Sequence, residues 1–146
     1  MRIAVGSDEH YPVNDFVVKE LARLGHEVIL FGALKSGKEE PWIQAAQEAA
    51  EAVFHEHCEE GIFFCWTGTG TAIVANKIPG IRAALCTDAQ TAAGARKWNK
   101  ANVLVLSNRL LSQDVAKEIL ASWFGEVDET QDDTVETIKA LEESYR

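Results

Sequence analysis

The chain is predicted to adopt an α/β fold: a doubly wound, five-stranded parallel sheet with helices on both faces and a further helix at the C-terminus. Three features of its 146 residues predict this. Five short runs rich in branched and aromatic residues recur along it, most of them apolar on both sides, as strands buried between two helix layers must be. Stretches of helical period, with start and stop residues, separate those runs. Alternation of this kind builds a parallel sheet, because each parallel connection has to cross back over a sheet face. Residues 1–146 fit one domain with a core of its own. No internal repeat or low-complexity linker divides it.

The strands are expected at 2–6 (RIAVG), 26–31 (HEVILF), 61–65 (GIFFC), 81–86 (IRAALC) and 102–106 (NVLVL). After the first, VNDFVVKELARLG puts Phe16, Val17, Leu21 and Leu24 on one face and closes on Gly25, a C-cap signal. The alanine-rich segment 40–57 carries Pro41 where a first helical turn would accept it. A helix-forming stretch follows the glycine-rich turn at 66–70. Segment 112–125 opens on Ser112, an N-cap candidate, and ends at Gly125. The tail, about 132–145, is a last helix with Asp133 as N-cap candidate and a narrow stripe of Val135, Ile138 and Leu141. Such a stripe suits a helix docked on its own domain and one packed on a second subunit equally well.

A net charge of −9 argues against nucleic acid or an anionic membrane as partner, yet leaves open a small anion held locally. No apolar run reaches the length of a membrane span, and the N-terminus enters a strand directly. A cytoplasmic location is therefore expected. Cys58, Cys65 and Cys86 lack metal-type spacing and read as thiols. Neither a metal nor another cofactor is expected.

Open parallel sheets bind ligands beyond the carboxyl ends of their strands, where the strand order reverses. In the common five-strand order that point lies between the first and third strands. GSDEH (6–10) and CWTGTG (65–70) should meet there. Gly68 and Gly70 permit positive φ and close backbone approach, and the helix that follows offers free N–H groups. The turn suits a phosphate, a carboxylate or a developing oxyanion, although glycines at a strand end also serve simply to turn the chain. It is neither a P-loop nor a full GxGxxG fingerprint.

Cysteine at a strand end is commonly just a small buried residue. In front of backbone donors, however, the Cys65 thiol is biased toward thiolate, a nucleophile or a base. Acyl chemistry would need a histidine partner, and only His10 is placed near the crevice. Asp8 and Glu9 read either as helix-start acids or as carboxylates that bind hydroxyls and handle protons. His10 reads as an exposed loop residue with an optional acid–base role.

IAVGSDE, GIFFCWTGTGTAIVANKIPGIRAALC and WNKANVLVLSNRLL together resemble the ribose-5-phosphate isomerase B / galactose-6-phosphate isomerase (RpiB/LacA/LacB) family, in register from residue 2 to about 124. The resemblance implies a Rossmann-like fold and metal-free interconversion of an aldose and a ketose. It also implies a homodimer or homotetramer whose active sites combine residues of two subunits. By the same resemblance, Cys65 is the base that moves a proton between C1 and C2, and Thr67 assists the proton transfers. Gly68, Thr69 and Gly70 hold the enediolate oxygen, and Asp8 contacts the sugar.

Departures from the family pattern bear on the substrate. Trp98, before Asn99, stands where the family has its ring-opening histidine, and Glu9 where many members have histidine. Trp66 stands where glycine is usual. The tail lacks the family's Gly-Gly-Arg-His stretch, with Thr130 and Thr134 near the positions of two phosphate-binding arginines, while Arg109 is retained. Either Lys77, Lys97 or Lys100 compensates, or the substrate is an unphosphorylated sugar or keto-uronate. An ordinary pentose- or hexose-phosphate isomerase and a non-catalytic sugar-binding relative are the competing readings.

Overall fold

The computed structural model describes residues 1–125 and 132–146. One all-parallel sheet contains β1 (Arg2–Ser7), β2 (Glu27–Gly32), β3 (Glu60–Cys65), β4 (Ala83–Leu85) and β5 (Val103–Ser107), in the order β2-β1-β3-β5-β4. The helices are α1 (Pro12–Arg23), a single-turn α2 (Ala33–Ser36), α3 (Trp42–Phe54), α4 (Thr69–Ala75), α5 (Ala89–Asn99), α6 (Gln113–Trp123) and the tail helix α7 (Thr134–Glu143).

The doubly wound α/β fold matches expectation, with one change of order. The common arrangement places the fourth strand beside the third, whereas here β5 takes that place and β4 forms the edge. Burial explains the exchange. Val103–Ser107 is buried at every position, while the three residues of β4 are only half-buried, as short edge strands are.

Alternation along the central strands serves two cores. Ile3, Val5, Ile62, Phe64, Leu104 and Leu106 point to the face covered by α1, α5 and α6. Ala4, Phe63, Val103 and Val105 point to the face covered by α3 and α4. Each large apolar side chain so buried contributes about 1.5–3 kcal/mol. The alanines of α3 have a geometric cause: a Cβ on Gly6 would lie 3.2 Å from that of Ala49, so bulkier residues would push the helix off the sheet.

Helix ends follow the sequence signals with small corrections. α1 closes in a Schellman motif, with the Gly25 N–H donating to Ala22 O and the His26 N–H to Leu21 O, both at 3.0 Å. Leu24, expected on the apolar face, is the C-cap and is exposed. Pro41 is the N-cap of α3, just before the first turn. The Ser112 hydroxyl caps α6 by accepting the Val115 N–H, and Asp88 caps α5 in the same way through Thr91. In α7, the Asp132 carboxylate accepts the Thr134 N–H at 2.9 Å, while Asp133, the expected cap, makes no such bond. Thr130 and Gln131 lie outside the described residues.

α7 buries none of its residues, and Val135, Ile138 and Leu141 remain exposed. Glu142 meets the body of the chain, both its oxygens accepting the Gly80 N–H at 3.2 Å.

One buried polar knot joins β3 to α5 and α6. Glu60 accepts the Trp123 indole N–H at 2.8 Å and pairs with Arg96 at 2.9 Å. Arg96 also donates to the carbonyls of Trp123 and Ala101, and its guanidinium lies 4.7 Å from the Trp123 ring centroid. Removing the cation alone leaves a buried carboxylate without its counter-charge. Arg96→Met should therefore cost about 3 kcal/mol in urea unfolding, and a cost under ~1 kcal/mol would show the pair to behave as a surface bridge.

Candidate active site at the carboxyl end of the sheet

Register assembles the site. Ser7 of β1 pairs with Phe64 of β3, so Asp8 emerges beside Cys65, with neighbouring strands about 4.8 Å apart. The junction of β1 and β3 is the one expected from topology. The exchanged order of β4 and β5 adds a third segment, because Cys65 pairs with Ser107. The Asn108 N–H donates to Cys65 O at 2.9 Å, and the Arg109 N–H to Trp66 O at 3.0 Å. The Ser107 hydroxyl donates to Trp66 O at 2.9 Å.

The Cys65 thiol is buried, and its sulfur accepts the Gly68 N–H at 3.2 Å. Gly68 has φ +82°, and a Cβ there would lie 2.5 Å from Leu85 Cδ1, so this turn requires glycine. Cys58 and Cys86 lie away from this turn. Burial pushes both thiols up, Cys86 to about 11.

Beyond the sulfur, Thr67 Oγ1 and Thr69 Oγ1 share a hydrogen bond of 2.7 Å. The Thr69 and Gly70 amides belong to the first turn of α4, where helix geometry supplies no intrahelical acceptor. Trp42 covers Gly70 so closely that a Cβ would lie 2.7 Å from its ring.

Two carboxylates follow β1 at this edge. Asp8 is half-buried, and its Oδ1 is enclosed without a hydrogen-bond partner. Burial raises its pKa, and the neighbouring charges of Glu9 and Glu39 push the same way. Glu9 accepts the Tyr11 hydroxyl, and that bond, with burial and the surrounding acids, raises Tyr11 to about 12. The Tyr11 ring lies 5.7 Å from that of half-exposed Trp66, tilted by 37°. The rim is thus aromatic and acidic together.

Three predicted groups fall away from this centre. His10 is exposed and bonds Asp15 at 2.8 Å. Trp98 and Asn99 lie at the end of α5, which runs back from the carboxyl edge of the sheet for 11 residues, roughly 16 Å. Within one chain they are at the wrong edge. Trp98 is 69% exposed and packs on Gly94 beside a groove along β4.

Among possible anion ligands, Arg109 is exposed and makes no ion pair among the described residues. Lys100 is tied to Asp132 at 3.2 Å. Asn14, Asn108, Tyr11 and Trp42 join the site without being expected there. Asn14 carried a signal, being a polar residue between Val13 and Val17 on an apolar helix face. Asn108 carried one in its place just past the carboxyl end of a strand.

A buried thiol with a directed N–H, an adjacent carboxylate and free amides suit proton abstraction next to a carbonyl. Comparisons with known proteins give the family. The family model described as Ribose/Galactose Isomerase matches residues 3–141. D-erythrulose-4-phosphate isomerase of Pectobacterium atrosepticum is 35% identical over 124 residues, 84% of this chain and 82% of that one. The 4-deoxy-4-sulfo-D-erythrose isomerase of a Clostridium species is 33% identical over 131 residues, covering 86% and 82%. The structure of Clostridium thermocellum ribose-5-phosphate isomerase B superposes with a TM-score of 0.90 at 35% identity, covering 100% of both chains. The chain therefore belongs to the ribose/galactose isomerase (RpiB/LacA/LacB) family and is an aldose–ketose isomerase.

Proposed function

We propose that this isomerase works in the cytoplasm on an unphosphorylated sugar or keto-uronate, through a cis-enediolate, with Cys65 as the base. The observation that carries the chemistry is the Cys65 sulfur held at 3.2 Å by the Gly68 N–H, beside Asp8. The thiolate takes the proton from the carbon next to the carbonyl and returns it to the other carbon. Charge developing on oxygen is met by the Thr69 and Gly70 amides, since the Gly68 amide is already engaged with sulfur. Thr67 assists transfer of the hydroxyl proton, and Asp8 accepts from a sugar hydroxyl. Trp66 offers an apolar face to the sugar carbons. A base and oxyanion donors suffice for this reaction, and no cofactor is called for.

Two observations support a substrate without phosphate. Asp8, Glu9 and Glu39 make the rim acidic, which repels a dianion. Near the family's arginine positions, Thr134 starts α7 with its N–H bonded to Asp132. Arg109 suffices for a single carboxylate. One relative is itself named for a sulfo sugar rather than a phosphorylated one. The phosphorylated reading has the names of the other two relatives in its favour.

The whole chain forms a single isomerase domain in this reading, assembled as a homodimer or homotetramer. The Trp98–Asn99 end of a second copy completes the crevice, and α7 packs on that copy. The exposure of Trp98 and of the α7 stripe supports this arrangement.

Cys65→Ser should keep the fold and lower kcat by at least ~10²-fold, with deuterium exchange from D₂O into substrate lost in parallel. Wild-type turnover in that variant would assign the base elsewhere. In a substrate panel followed by NMR, kcat/KM should be higher for a free sugar or keto-uronate than for ribose 5-phosphate. A value for ribose 5-phosphate above ~10⁴ M⁻¹s⁻¹ would overturn the unphosphorylated reading.

Asp8 gives a pH signature. Its folded pKa lies above the ordinary 3.8, so stability falls as pH rises from 3.8 through the folded value. At pH 7 its charge is therefore a cost. Asp8→Asn should raise Tm there while lowering kcat. The Tm gain should vanish below pH 3.8, where both states of the wild type are protonated. A Tm equal to wild type at pH 7 would refute the cost.

A further inference from the structure

Behind the rim lie two asparagines that the reaction as described does not use. Asn14 of α1 is fully buried and Asn108, just past β5, is 9% exposed. A buried amide costs about 1–3 kcal/mol if unpaired, so their bonds must be accounted for. They form one directed chain. The Tyr11 N–H donates to Asn14 Oδ1 at 2.7 Å, and Asn14 Nδ2 to Asn108 Oδ1 at 2.8 Å. Asn108 Nδ2 donates to Ser7 Oγ at 3.2 Å, and Ser7 Oγ to the Glu9 carbonyl. Because a backbone N–H can only donate, the first link sets the orientation of both amides.

The chain begins and ends in the turn 7–11, which carries Asp8, and crosses through α1 and β5 on the way. Asn108 also donates its own N–H to Cys65 O at 2.9 Å. Asp8 Oδ1 has no partner, so that oxygen is aimed by the backbone of its turn and not by a contact of its own. We infer that Asn14 and Asn108 are positioning residues, which hold the Asp8 turn at a fixed distance from Cys65 so that carboxylate and thiolate bear on the same substrate atoms. The inference rests on the Cys65 reading above. Neither asparagine needs to touch substrate. Their loss should therefore appear in kcat, because a misplacement of about 1 Å at a reacting centre costs up to ~10²-fold.

The test uses the full-length protein and whichever sugar the wild type turns over. Ser7→Ala, Asn14→Leu, Asn108→Ala and the Ser7→Ala/Asn108→Ala pair are compared for kcat, KM and Tm. Each single change should lower kcat by ~10- to 100-fold with KM within ~2-fold and Tm still above the assay temperature. The pair should be no worse than Asn108→Ala alone, since a chain already broken is not broken twice. Should Asn108→Ala not fold, Asn14→Leu replaces it in the pair. Wild-type kcat in the single variants, or losses that multiply in the pair, would overturn the inference. Undiminished turnover in Cys65→Ser would instead overturn the site assignment itself, so the two failures are distinguishable.

Discussion

The hydrogen bond from the Gly68 amide to the Cys65 sulfur is the constraint around which this molecule is arranged. To make it, the chain must turn back on itself within three residues, and at φ +82° only glycine does so without strain. The turn then starts α4 directly, which leaves the Thr69 and Gly70 amides just beyond the sulfur. Strand β3 supports the thiol from below with six consecutive buried residues, including Ile62, Phe63 and Phe64. A reactive group on a fully buried strand is held with little freedom. The thiol is thus as rigid as the core.

The carboxylate side is organised differently. Asp8 and Glu9 sit in a turn, where burial first and then the nearby acidic charges make Asp8 costlier to ionise. Glu9 is moderated by the Tyr11 hydroxyl, and Tyr11 in turn leans on Trp66. An aromatic and acidic rim favours neutral, hydroxyl-rich ligands: C–H faces lie on rings and hydroxyls reach carboxylates. It disfavours a dianion in the same place. The buried amide chain through Asn14 and Asn108 joins this softer side to the rigid one.

The amino edge of the sheet is where the isolated chain is least finished. Trp98 is largely bare, the groove along β4 is open, and α7 touches the body through Glu142, with Val135 and Ile138 lining a cavity beside Val53 and Ile81 and Leu141 turned outward. Trp98 lies a helix length from the carboxyl edge that carries Cys65.

Much of this was legible in the sequence. The five strands, the crevice between β1 and β3, and the roles of Gly25 and Ser112 follow from local pattern, because buried strands, caps and turns are selected by residues close together in the chain. Cys65 before Gly68 and Gly70 was legible for the same reason. What the sequence left open depends on which distant segments become neighbours. The place of β5 between β3 and β4 was decided by the burial of Val103–Ser107 against the half-exposed Ala83–Leu85. That exchange alone brings Asn108 to Cys65 and Asn14, 94 residues away in the chain. The place of Trp98 and Asn99 at the far end of α5 from their own chain's thiol is likewise a matter of helix direction. Short-range chemistry determined the elements and the cysteine-glycine turn; tertiary packing decided which polar side chains were buried together, because a buried amide is stable only where the fold supplies its partner.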